Sequence, residues 1–148
     1  MANPTTNFGW VMPTTTDLVT DLPADFAVFG QGVDTSMAQY ILGTYTAKTD
    51  NYTFASGDQG SILSMNNAAT KQFSIPTDAT FNFPIGAEIN VFWITGAGQP
   101  TIGAVTPGTT TVISTGATSA TPKLRVANSG ATAKKLAANS WIVFGDIS

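Results

Sequence analysis

The sequence predicts a mainly β protein: an antiparallel β-sandwich or jelly-roll-like head preceded by an extended arm and a short N-terminal helix. Three observations carry that expectation. From Asn51 to Ser148, short β-branched or aromatic runs alternate with Gly, Pro and Asn turns, the rhythm of a domain made of many short strands. Residues 1–50 lack that rhythm and hold instead a Thr-rich stretch and one segment with helical apolar spacing. Only 10% of the 148 residues are charged, against 43% hydrophobic, which is little charge for the surface of a small monomer. Part of the surface is therefore expected to lie against other subunits. The length suits one domain with an appendage rather than two separate cores.

Residues 1–20 are predicted to form an extended docking arm. Pro4 and Pro13 disfavour helix in their neighbours, and the Thr clusters favour extended backbone. Phe8, Trp10, Val11 and Met12 make a compact apolar patch flanked by Asn7 and Gly9. Four large apolar side chains near a chain end need a cover. Either the patch folds back on the chain's own core, or it docks on another protein by strand addition or pocket insertion. The second is favoured.

Residues 21–43 are predicted to form a trimerising helix. Asp17 or Asp21 suits its cap, Pro23 its first turn and Asp25 the positive end of its dipole. Leu22, Phe26, Phe29, Val33, Met37 and Tyr40 then follow in steps of four, three, four, four and three. That is a single stripe close to a coiled-coil seam. Gly30 and Gly32 cost about 1 kcal/mol each relative to Ala, so the helix needs packing partners. These are either its own domain or two further copies around a three-fold axis. Gly43 is expected to end it, and residues 44–51 to be a polar linker.

Residues 52–148 are assigned to the head. Its candidate strands are 52–54, 61–66, 71–75, 87–95, 101–105, 110–114, 123–128, 131–136 and 141–146. Turn signals separate them, among them Gly57-Asp58-Gln59-Gly60, Pro76-Thr77-Asp78, Gly96-Ala97-Gly98, Ser129-Gly130 and Asn139-Ser140. Alternation puts Ile89, Val91 and Trp93 on one face of their strand, with Glu88, Asn90, Phe92 and Ile94 on the other. Val143 likewise opposes Ile142 and Phe144. Apolar residues on both faces need extra cover, and no later helix supplies it; a subunit interface involving Phe92 and Ile94 is the expected cover.

Chemistry-bearing motifs are few. The sequence has no His and no Cys, which removes the commonest general base and metal ligand together with any thiolate site. Glu88 is the single glutamate, the Asp residues near the helix start read as caps, and Asp58 reads as a turn residue. Gly96-Ala97-Gly98-Gln99-Pro100 lacks the Lys and the helix of a phosphate loop. No enzyme activity, cofactor or metal is expected. Six Lys and Arg with a net charge of −3 and no basic patch argue against nucleic acid. No apolar run approaches the ~20 residues of a membrane span, and the first residues do not read as a signal peptide. A chain made in the cytoplasm, without membrane insertion, is expected. Should the head bind a ligand, a neutral glycan is the fitting class, with Tyr52 and Arg125 as candidate contacts.

Several segments bear a resemblance. Asn7-Phe8-Gly9-Trp10, Met12-Pro13 and residues 17–26 resemble the N-terminal modules of tailed-bacteriophage fibre and virion structural proteins. Asp58-Gln59-Gly60, Thr80-Phe81-Asn82-Phe83-Pro84-Ile85-Gly86, Pro122-Lys123-Leu124-Arg125 and residues 140–146 resemble a β module of phage virion proteins. The resemblance implies an N-terminal virion anchor and a trimeric C-terminal head, with no long shaft between them. It also implies location in the virion after assembly in the host cytoplasm. On that reading Phe8, Trp10, Val11 and Met12 dock on other virion proteins. Leu22, Phe26, Phe29, Val33, Met37, Tyr40, Phe92 and Ile94 hold the homotrimer, and the head contacts a host surface glycan. Two alternatives stay open: a capsid decoration or head-fibre protein without a receptor role, and a monomeric carbohydrate-binding module.

Overall fold

A computed structural model describes residues 3–4, 10–12, 18–114 and 120–148. Phe8 and Asp17 lie outside the described residues, as do the side chains of Val11 and Tyr40. The chain divides into two compact units, Met1–Gly43 and Thr44–Ser148.

In the first unit, β1 (Asn3–Pro4) and β2 (Val11–Met12) pair antiparallel, and α1 spans Leu22–Leu42. Asp21 occupies the N-cap position, but its side chain makes no capping bond. Its carbonyl instead accepts from the Ala24 and Asp25 amides, and Pro23 sits in the first turn where its missing N–H costs nothing. The helix ends at Gly43, whose φ is 57°.

The second unit is mainly β with mixed sheets. Its strands are β3 (Tyr45–Lys48), β4 (Tyr52–Thr53), β5 (Ile62–Asn66), β6 (Gln72–Ile75), β7 (Glu88–Thr95), β8 (Thr101–Ala104), β9 (Thr111–Ser114), β10 (Gly130–Ala137) and β11 (Ser140–Gly145). They form a six-stranded sheet in the order β3-β5-β7-β10-β11-β9 and a three-stranded sheet in the order β4-β6-β8. Two expectations are corrected here. The region 44–51 is not simply a linker, because Tyr45–Lys48 is an edge strand paired parallel to β5. Nor is the pairing antiparallel throughout: β3, β5 and β7 run parallel to one another, as do β4, β6 and β8, and β9 runs parallel to β11. Antiparallel pairing joins β10 to β7 and to β11.

From β3 to β8 successive strands alternate between the two sheets, and the parallel pairs among them arise from that. Parallel neighbours need a long crossover, commonly a helix; here each of those crossovers is a strand of the other sheet, whereas β9 and β11 have β10 of their own sheet between them. Several of the expected turns between strands are therefore corners between sheets. The 57–60 turn is one. It joins β4 to β5, and the Asp58 carboxylate accepts from the Ala55 amide (2.7 Å) and the Tyr52 hydroxyl (3.0 Å).

The inward faces merge into one core. Leu63, Met65, Ile89, Val91, Ala133, Trp141 and Val143 from the larger sheet meet Phe54, Phe73, Ile75, Ile102 and Leu124. Phe54 stacks on Phe73, and Phe83 meets Trp141 edge-on at 5.6 Å. The predicted strand 123–128 reduces to bridges: Lys123 pairs with Thr101, and Leu124 with Ile147. These bridges extend the three-stranded sheet to the C-terminal residues, so the chain passes from one sheet to the other after β11. Gly145 makes the passage, at φ 141°, where a Cβ would stand 2.6 Å from the Gly130 carbonyl oxygen.

Candidate interaction surfaces

In the first unit, Trp10 lies along one flank of α1. Its ring meets Phe29 edge-on at 5.9 Å, and its Nε1 donates to Ser36 Oγ at 2.9 Å. Gly32 makes the space: a Cβ there would stand 3.3 Å from the indole Cδ1. The glycine that weakens the helix intrinsically thus admits the Trp10 indole. Trp10, grouped by sequence with the docking residues, spends its indole on its own helix. Met12 is half-buried.

Residues advance about 100° per position around a helix, so Gly32, Ser36 and Phe29 form the covered flank. Phe26, Gly30, Val33 and Met37 lie beyond it on the other side. Phe26 is 59% exposed and Met37 54% exposed, while Leu22 and Val33 are half-buried. Among the described residues, nothing lies within 4 Å of where a Gly30 Cβ would be, which leaves a notch between Phe26 and Val33. The predicted seam is therefore split: Phe29 is engaged by Trp10, whereas Phe26 and Met37 are open.

In the second unit, the outer face of the six-stranded sheet repeats the apolar theme. Register aligns Tyr45, Ile62, Asn90, Thr132 and Phe144 in one row across five strands. A neighbouring row carries Ala47, Ser64, Phe92 and Gly130, and another Glu88, Lys134, Ile142 and Ile113. The Phe92 ring lies over Gly130, where a Cβ would come within 2.5 Å of it. Tyr45, Ile62, Ile94, Ile113 and Phe144 are exposed, and Phe92 and Ile142 are half-buried. The face has few charges, and several of its polar side chains are paired among themselves. Asn90 Oδ1 accepts from Thr132 Oγ1 (2.7 Å), Tyr45 and Ser64 hydroxyls share a bond (2.8 Å), and Lys134 meets Glu88 (2.6 Å).

The two candidate glycan residues are not brought together. Tyr52 is on β4, at one edge of the three-stranded sheet, and Arg125 follows the bridges beyond β8, at the opposite edge. Lys48 Nζ sits 3.5 Å over one face of the Tyr52 ring, the position a sugar ring would need. Burial and the hydrogen bond to the Asp58 carboxylate push the Tyr52 hydroxyl up to about 12. The exposed Arg125 guanidinium pairs with Asp146, which raises its pKa.

A buried cation was not anticipated. Lys135 is 1% exposed, and its ammonium donates to Asp78 Oδ1 (2.6 Å), Asn82 Oδ1 (2.7 Å) and the Phe83 carbonyl (2.8 Å). Three donors meet three acceptors, which satisfies the ammonium. Asp78 in turn accepts from the Asn139 amide through Oδ2, and its own amide donates to Asn139 Oδ1. Burial works to raise the Asp78 pKa, but Lys135 and the Asn139 amide outweigh it and hold the carboxyl below its ordinary value. The cluster ties residues 78–83 to the β10–β11 hairpin. Strand parity carried the signal: Ala131, Ala133 and Lys135 share the inward face of β10.

Among the described residues, no group of three or more His, Cys, Asp or Glu side chains is placed to hold a metal ion. Among the same residues, no helix is long and apolar enough to cross a membrane. Comparison with protein-family models, curated proteins and solved structures found no match.

Proposed function

We propose that the chain is a non-enzymatic structural component of a phage virion, a short homotrimeric fibre whose N-terminal unit anchors it to the particle. The open stripe on α1 carries the reading. Phe26 and Met37 stay exposed and Val33 half-buried after Trp10 has packed on the other flank, and three such helices can close over one another at a three-fold seam. Gly30 lets the backbones approach, and large Phe side chains fill the axis. The apolar cover that Phe26 and Met37 lack within their own unit then comes from neighbouring copies.

The jelly-roll description of the head, its display toward a host surface and the docking of residues 1–20 on other virion proteins belong to the same proposal. Weak contacts repeated on three heads gain by multivalency. The test is gold-labelled antibody against residues 44–148, applied to purified phage particles of the strain that encodes the chain. Label at one fixed particle site is expected. Unlabelled particles, with the chain left in the soluble fraction, contradict the proposal.

A further inference from the structure

We infer that the outer face of the six-stranded sheet is a second contact surface between copies of this chain, separate from the α1 stripe. The inference rests on the homo-oligomeric reading and adds a site to it.

The face has the composition of a covered surface. A sheet with one face in water normally alternates apolar and polar residues. Here the outward positions hold Tyr45, Ile62, Phe92, Ile142, Phe144 and Ile113. Covering polar groups costs free energy when they lose water without gaining partners. On this face Asn90–Thr132, Tyr45–Ser64 and Glu88–Lys134 already bond to one another, so that cost is small.

The same pairing selects the occupant. Glu88 and Lys134 neutralise each other at one corner, so the face offers no net charge to draw an acidic or basic partner. Two further copies of the same neutral, apolar face, turned toward one three-fold axis, meet it without like-charge repulsion. Strands ~4.8 Å apart rising ~3.3 Å per residue make six strands of four to eight residues a face of roughly 24 Å by 13–26 Å. That outline of roughly 300–600 Å² is less than the ~800 Å² per partner of a stable interface, so the face adds to the α1 seam rather than replacing it.

The chain has no Cys, so Ile113→Cys supplies a single thiol on this face. In the full-length protein, labelling by a bulky maleimide is expected to be at least tenfold slower in the assembled state than after dilution to single copies. Ile113→Glu and Phe144→Glu are each expected to weaken association at least tenfold, with the melting temperature of the diluted chain unchanged. Equal labelling rates in both states, or unaltered association of both Glu variants, overturn the inference. So does slow labelling that persists in single copies, because the cover is then the chain itself. Phe26→Asp separates the two surfaces. Loss of all assembly in Phe26→Asp, with Ile113→Cys equally reactive in both states, leaves the helix seam standing and removes the sheet contact. A wild-type chain that is a single copy at every concentration removes both.

Discussion

The two units are stabilised in different ways. Residues 44–148 close on themselves: two sheets share a core of Phe, Ile, Leu, Met, Val and Trp side chains, and a buried ammonium pins a loop to a hairpin. The described part of the N-terminal unit is a two-stranded β1–β2 pair and one helix with the Trp10 indole laid along it, and Phe26 and Met37 stay open. Charge divides the same way. The segment 1–43 has Asp17, Asp21, Asp25 and Asp34 without a single Lys or Arg, whereas all six cations lie in 44–148. The unit 44–148 carries its own core, whereas the described part of the unit 1–43 leaves an apolar stripe open and its segment carries one sign of charge.

The largest expected effect separates two adjacent lysines. Lys135→Ala leaves Asp78, Asn82 and the Phe83 carbonyl without their buried donor, and breaking such a pair costs about 3–5 kcal/mol. Thermal unfolding of the β unit should shift accordingly. Lys134→Ala, which removes an exposed pair with Glu88, should cost less than ~1 kcal/mol. Comparable melting shifts for the two variants would contradict the burial that distinguishes them.

Trp10→Ala tests the other unit. A fully buried Trp→Ala costs about 3–5 kcal/mol; the half-buried Trp10 should cost about 2 kcal/mol. The far-ultraviolet helix signal should fall while the β unit melts as before. A fall in the β transition would mean that the units do not stand on separate cores.

Acid and alkali probe two groups of the β unit. The folded Asp78 pKa lies below its ordinary 3.8, so its contribution is present above that value and is lost as pH falls through the folded value. Lys135→Ala should flatten this acid limb. Tyr52 moves from 10.0 to about 12. The unfolded hydroxyl therefore ionises first, and stability present below pH 10 is lost as pH rises toward 12. Tyr52→Phe should abolish that alkaline loss.

The smallest effect concerns salt. In the proposed trimer, three acidic N-terminal units at one axis would repel one another, and screening shortens that repulsion to about 10 Å at 0.1 M salt. Raising salt should tighten self-association by a few fold, read by sedimentation. Weaker association in salt would point instead to ionic contacts between copies.

Much of this organisation was legible in the sequence. Steps of three and four marked α1, and period-two alternation found β5, β6, β7, β10 and β11 within a residue or two. It also separated inward Ile89 and Val91 from outward Phe92. Strand direction was not legible, because Gly-rich corners such as 57–60 look alike whether the next strand returns in the same sheet or crosses to the other. Residues 44–51 hid β3 because Thr, Tyr and Lys at an exposed edge have no hydrophobic run to advertise them. Lys135 was obscured because charge pointed to solvent while the parity of Ala131 and Ala133 pointed inward, and three acceptors from 78–83 decided the contest. The role of Gly32 required seeing Trp10, 22 positions earlier.

The central claim is that the helix stripe is completed by further copies of the chain. Sedimentation equilibrium at micromolar concentration tests it most directly. A mass of about 46 kDa, three times the 15.4 kDa chain, is predicted, falling to one copy in Phe26→Asp if the seam alone holds the assembly. A wild-type species of 15.4 kDa across the concentration range would contradict it.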